Sequence, residues 1–393
     1  MKFREPDRST RARIASGLFA VALIVIAGAA YQIARNAQAA VLDSQAGSIS
    51  AVALDPNAPG FRAFTEPTPS ALVLHTAVTS EGRAELRGLS VLAAADGNRG
   101  GTLLTIPASF VPFESSPSLD ETFATEGFDM VVEQVRDSLG IGFGEVVVLD
   151  AASWTNLMTA DLPLELALRE SLVQEGEAGV DDVLLEAGSR SYSLDEVALI
   201  AGHRNPDEPT LTVARRQQEI WRSWISRTAS SIERPELFQV GEGFVELIGA
   251  LASGETSYRT IPAESIAGDT AGATSYVADH DAIADLIAAV VPFPLSPTPG
   301  SRADVMLLDG VGGAFDQNAV LHSIVRAGGQ VAILGNADVA LDATLVQVHN
   351  EDATAVGQAI AEELGTGLPV LVPLEEATVS ITVTVGADRL GEP

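Results

Sequence analysis

The chain has 393 residues, 46% of them hydrophobic and 19% charged, which is enough for two or three domains with cores of their own. Its formal net charge is -30, with Lys2 as the one lysine, so its surface repels nucleic acid and anionic lipid except where arginines cluster. It contains no cysteine, which excludes disulfides, thiolate zinc sites and cysteine nucleophiles.

Ile14 to Tyr31 is an uncharged, mostly apolar run. It is long enough to span a bilayer, or nearly so. Lys2, Arg4, Arg8, Arg11 and Arg13 precede it, and Arg35 is the nearest basic residue after it. That asymmetry predicts a cytoplasmic tail at 1–13, a transmembrane anchor at 14–34 and an extracytoplasmic remainder. A cleaved signal peptide is the alternative, since Ala37-Gln38-Ala39 fits a cleavage site after Ala39. Residues 35–68 are rich in Ala, Ser, Pro and Gly and read as a linker with one short strand.

From Ser70 the pattern becomes strand-like. Ala71–Thr76, Leu89–Ala94 and Thr102–Ile106 are short apolar runs separated by Gly, Asn and Asp. Leu119 to Leu139 reads as one helix, with Phe123, Phe128, Val131, Val132 and Val135 on a common face. Gly140 to Gly144 ends it, and Glu145–Leu149 is a buried strand. Ser193 stands three residues before Glu196, the spacing of a capping box. Val213–Ile225 and Pro235–Leu251 are predicted helices, followed by strands at Tyr258–Pro262 and Thr274–Ala278 and a helix at Asp281–Val291. The alternation predicts an α/β sandwich domain over 69–294. A Pro-rich linker follows at 295–301, and a small C-terminal α/β domain at 302–390.

Several residue groups carry candidate chemistry. Gly310-Val-Gly-Gly313 lies between a strand and a helix, but Phe315 stands where a third glycine is needed and there is no Walker lysine, so the glycines serve turn geometry. Asp279-His280-Asp281 has no second histidine placed to complete a metal site, and Asp281 suits the first turn of a helix. The acidic stretch Glu165–Glu186 reads as a solvated surface. No G-x-S-x-G or H-E-x-x-H occurs, and no basic reading helix for nucleic acid.

Two longer patterns resemble a known family. The strand Gly101–Ile106 runs into Pro107-Ala108-Ser109, and a later helix carries Arg215-Arg216-Gln217-Gln218. Together with Leu199–Arg204 and Thr260-Ile261-Pro262, in this order, they resemble the LytR-CpsA-Psr domain of envelope proteins. The family's Ser-Ile-Pro-Arg-Asp reads Thr105-Ile106-Pro107-Ala108-Ser109 here, Gly202 replaces the first arginine of Arg-x-Arg, Val213 replaces the first of Arg-x-x-Arg-Gln, and Ala160-Asp161-Leu162 replaces Gly-Gly-Val. Residues 303–388 resemble the LytR C-terminal domain, which often follows the first in actinobacteria-like chains. Leu308-Asp309-Gly310, Ala327–Val331, Gly335-Asn336-Ala337 and Val385–Asp388 carry that likeness.

The resemblance implies a cell-envelope role with a cell-wall glycopolymer, peptidoglycan or a polyprenyl lipid carrier as partner. In the family, arginines hold the pyrophosphate of a lipid-linked glycan while aspartates help place a divalent cation. The matching survivors here are Arg204 and Arg216, with Arg215 beside the second. Arg83 and Arg87 lie near the early aspartate positions and are candidate substitutes. With the paired aspartates gone, the expectation is a non-catalytic module for cell-wall glycopolymer binding or envelope assembly, with no cofactor. The alternative is a divergent phosphotransferase that attaches glycopolymers to peptidoglycan and uses magnesium.

Overall fold

Apolar residues on a 3.6-residue period make the helices, and aliphatic runs bounded by turn residues make the strands. The computed structural model describes residues 55–390 except Ser80, 159–162, 177–180, 231–241, 268–273 and 375–376. The tail, the anchor at 14–34, the cleavage site after Ala39, most of the 35–68 linker, Ala160-Asp161-Leu162 and the start of the helix expected from Pro235 lie outside the described residues. Among the described residues, no helix is long and apolar enough to cross a membrane.

In chain order the first elements are β1 (Arg62–Phe64), β2 (Ser70–Val78), β3 (Ala84–Ala94), β4 (Gly101–Pro107), β5 (Phe110–Val111), α1 (Leu119–Thr125), α2 (Phe128–Leu139), β6 (Glu145–Leu149) and α3 (Ala151–Leu157). After them come β7 (Leu164–Leu168), β8 (Leu172–Gln174), β9 (Asp182–Leu185), β10 (Gly188–Tyr192), α4 (Leu194–Gly202), α5 (Thr210–Ser230), α6 (Glu242–Ala252), β11 (Thr256–Thr260), β12 (Ala263–Ala267), β13 (Thr274–Ala278) and α7 (His280–Val290).

The central sheet of this part has the order β11-β4-β3-β2-β6. Its β2–β3 and β3–β4 pairs are antiparallel, while β6 and β11 join in parallel. Both faces are covered, which is why Ala71 to Leu74 are all apolar and buried. One face packs on α3 to α6 through Trp154, Ile200, Trp221 and Phe244. The other packs on α1, α2 and α7 through Leu119, Val131, Val135 and Ile287. The result is a three-layered mixed α/β unit.

The helix expected over Leu119–Leu139 is two helices. Gly127 breaks it with φ +89°, a left-handed conformation that glycine adopts without strain. Ser118 and Glu121 form a capping box at the start of α1, and Gly140 closes α2 in the left-handed region. The capping box read at Ser193 and Glu196 is present at the start of α4.

The remaining elements are β14 (Ala303–Asp309), α8 (Gln317–Arg326), β15 (Gly329–Asn336), β16 (Leu345–Val348), α9 (Thr354–Glu363), β17 (Val370–Leu371) and β18 (Ile381–Val385). Their sheet has the order β1-β15-β14-β18-β16-β17. Its core joins Val305, Leu307, Ile324, Ile360, Ile381 and Val383.

Strand β1 comes from the stretch read as linker, and it completes the edge of this second sheet, antiparallel to β15. Gly335 permits that pairing, because a Cβ there would lie 2.2 Å from Phe61 O. The Pro-rich stretch is also held in place. Gly142 N donates to Leu295 O at 2.8 Å, and Ser296 Oγ donates to Gln330 Oε1 at 2.8 Å. Arg302 is buried at the junction, donating to Gly140 O at 2.9 Å on one side and to Gly329 O and Val325 O on the other. Burial brings its guanidinium down to about 10. Arg326 bridges Asp285 of α7 and Glu363 of α9.

Candidate functional site

The corner between α4 and α5 gathers the charged side chains. Pro206 and Pro209 forbid continuous helix between Gly202 and Thr210. The intervening loop folds back on Glu208, whose side chain is 4% exposed. Glu208 Oε2 accepts from Asn205 N at 2.9 Å, and Glu208 O accepts from Arg204 Nε at 2.8 Å. Arg216, one helical turn and a half into α5, reaches the same loop. It pairs with Glu208 Oε1, donates to His203 O, and donates through Nε to Ile200 O at 3.0 Å.

Arg87 arrives from the sheet. The β2–β3 register shifts between His75 and Thr76, leaving Arg87 as the bulged residue opposite no partner. A bulge re-aims a side chain, and this one sends Arg87 Nε to Gly202 O at 3.0 Å. Its NH1 pairs with Glu85 at 2.8 Å. Burial pushes the Arg87 guanidinium below its ordinary value, Glu85 pulls it back up, and Arg204 lowers it again. The structure therefore brings Arg87, Arg204 and Arg216 together, against two carboxylates, Glu85 and Glu208.

The other two candidates lie apart. Arg83 is exposed and paired with Glu81 at 2.6 Å. Arg215 is exposed on α5; it lowers the Tyr276 phenol, which burial pushes up more strongly. Ser109, at the position of the family's aspartate, is tied to the start of α5. Its Oγ donates to Thr274 O at 2.8 Å and lies 2.6 Å from Thr210 Oγ1.

Two weaker motifs resolve into caps. Asp309 accepts from the backbone N–H of Val311, Gly312 and Gly313, so the glycine turn is filled by its own carboxylate. Asp279 caps α7 by accepting from Ala282 N at 3.1 Å, Asp281 lies in the first turn, and His280 stacks on Phe113. Among the described residues, no group of three or more His, Asp or Glu is placed to hold a metal ion. A magnesium ion at the arginine corner would compete with Arg216 for Glu208 and with Arg87 for Glu85, so these carboxylates do not fit it.

Glu208 was not legible as a site residue. Its only sequence signal is its place between two prolines, four residues after Arg204 and eight before Arg216. A polar seam beneath the corner was missed as well. His75, Ser90 and Thr105 project from β2, β3 and β4 onto the face covered by α5, and all three are buried. His75 Nε2 lies 2.9 Å from Ser90 Oγ, and Gln218 Nε2 donates to Thr105 Oγ1 at 2.9 Å. Gln217 Nε2 donates to Ala201 O at 2.8 Å. The His75 ring stacks on Trp154 at 5.4 Å and meets Trp221 edge-on at 6.2 Å. Burial holds the imidazole down at about 3, so it is neutral at ordinary pH.

No protein-family model matches the chain, and no curated protein matches it. The solved structures it is similar to include a LytR-CPS2A-Psr family protein. TagV of B. subtilis is 13% identical over 56% of this chain and 94% of its own, with a TM-score of 0.43. TagT of B. subtilis is 14% identical over 59% and 90%, with a TM-score of 0.41. The family protein YwtF (TagT) with bound octaprenyl pyrophosphate lipid is 15% identical over 56% and 88%, with a TM-score of 0.39.

Proposed function

We propose that this chain is a membrane-anchored, extracytoplasmic envelope protein that binds cell-wall glycopolymer or peptidoglycan without transferring it. The observation that carries the reading is the engagement of four of the five N–H donors of Arg216 within the protein. Its guanidinium gives hydrogen bonds to Ile200 O, His203 O and both oxygens of Glu208. A pyrophosphate needs guanidinium forks whose donors are free to face it. Here the Arg216 fork clamps the α4–α5 loop instead. Electrostatic catalysis of phosphoryl transfer needs most of its charged parts present and aimed at the reacting group. Ser109, tied to Thr210, supplies no carboxylate.

The anchor and the outward orientation rest on the apolar run at 14–34 and the basic residues before it. The second α/β part, with its sequence likeness to the LytR C-terminal domain, takes its edge strand β1 from the chain ahead of the first part. One observation favours the divergent phosphotransferase: three arginines and two carboxylates do converge at one corner.

The test of binding is cosedimentation of the full chain, in detergent, with purified peptidoglycan that carries or lacks its covalently attached glycopolymer. The reading expects retention by at least one of the two. Loss of both would contradict it.

A further inference from the structure

We infer that one water molecule is bound inside the polar seam, held by His75 Nδ1, Gln217 Oε1 and Trp221 Nε1. These three atoms are buried, and none has a hydrogen-bond partner within the protein. His75 is 1% exposed, and Gln217 and Trp221 are 0% exposed. Buried polar atoms are rarely left unpaired, so three orphans in one place point to a guest.

Their proximity follows from three independent relationships. Gln217 and Trp221 are four residues apart on α5 and therefore share a face. The rings of His75 and Trp221 are 6.2 Å apart. Gln217 Oε1 lies 2.5 Å from where a Cβ on Gly88 would be, and Gly88 is the direct cross-strand partner of His75. The missing side chain of Gly88 lets the Gln217 amide reach in beside His75.

The chemistry selects the guest. The indole N–H can only donate, and Gln217 Oε1 can only accept, because its NH2 is committed to Ala201 O. An anion would face the amide oxygen, and a cation would face the indole proton. An apolar guest would leave all three atoms unpaired. A water accepts from Trp221 and donates to Gln217 and to His75 Nδ1. His75 is then the tautomer that donates from Nε2 to Ser90 Oγ. Three bonds is the usual complement of a buried water. Through Gln217 the water fixes the end of α4, where Ala201 O receives Gln217 and Gly202 O receives Arg87. It is thus a positioning element for the arginine corner, whether or not that corner binds glycopolymer.

The chain has three tryptophans, so a 15N-labelled full chain in detergent micelles gives three indole N–H signals, and Trp221→Phe assigns the one of interest. The expected result is cross-relaxation between the Trp221 indole proton and the solvent frequency, with the sign of a water held far longer than bulk. That signal persists in Ser90→Ala, which excludes relay through the hydroxyl, and weakens in Gln217→Met. The His75 nitrogens report a neutral ring protonated at Nε2. A Trp221 indole with no solvent cross-peak, a signal lost in Ser90→Ala, or a through-bond 15N–15N coupling between Trp221 and His75 would each overturn the inference.

Discussion

Glu208 and Arg216 form an ion pair whose two side chains are 4% and 11% exposed. The pair closes the α4–α5 loop onto the second turn of α5. A pair this buried is retained by its mutual geometry, and removing one partner leaves the other charged and dry. The same relationship supports the proposed binding role, because the Arg216 donors given to Glu208 do not face a phosphate.

Glu208→Gln should therefore cost about 3–5 kcal/mol of stability, since it strands the Arg216 charge. Arg216→Met should cost a similar amount. The double substitution should cost less than the sum, because it removes both charges together. Urea unfolding of the four proteins checks this. A sum that simply adds would mean the two side chains act separately.

Gly88→Ala places a Cβ 2.5 Å from Gln217 Oε1. The amide must rotate away from Ala201 O, inside a packed core. The expected loss is about 1–3 kcal/mol, read from the urea midpoint. Hydrogen exchange should rise at the end of α4, where that amide is bound. Unchanged exchange at Ala201 and Gly202 would show that Gln217 does not hold the loop.

Arg302→Met removes one side chain that donates to carbonyls on both sides of the junction, Gly140 O and Gly329 O. Leaving buried carbonyls unpaired costs ~1–3 kcal/mol each. The melting temperature should fall, and protection should drop at Gly140 and at the start of β15 together. Arg302→Lys should not rescue it, because one ammonium cannot reach the three carbonyls in the plane of a guanidinium. Full rescue by lysine would argue that only the charge matters.

The buried imidazole of His75 gives a pH signature. Its value of about 3 lies below the 6.5 of the free group. Between those values the unfolded chain carries a proton that the folded one refuses, so stability falls as pH drops through 6.5 toward 3. The slope from this group is about 1.4 kcal/mol per pH unit in the middle of that window. Urea midpoints from pH 7 to 4 should show it, and His75→Leu should flatten it. A His75→Leu curve parallel to the parent curve would remove His75 as the cause.

Much of the fold was legible because it is written in local patterns. The strand runs at Ala71–Thr76 and Glu145–Leu149, the capping box at Ser193 and Asp281 in the first turn of α7 all appear where their side chains dictate. Gly127 was not read as a break, because the apolar period of Phe123, Phe128 and Val131 continues across it. Strand β1 has three residues, and its partner Ile333 is far away in sequence, so no local pattern announces the pairing. The arginines were readable as residue types, but Glu208 neutralises Arg216 only because a proline-bracketed loop turns back on the helix. The polar seam was hidden for a similar reason. His75, Ser90 and Thr105 are single residues on three strands, and only the sheet register aligns them.

In the proposed function the arginine corner is closed on its own carboxylate and transfers nothing. The most direct measurement is magnesium-dependent turnover of a short-chain polyprenyl-pyrophosphate-linked glycan by the full chain, beside Arg204→Ala and Arg216→Ala. No turnover is expected from any of the three proteins. Turnover by the parent chain that either substitution abolishes would contradict it and make this corner an active site.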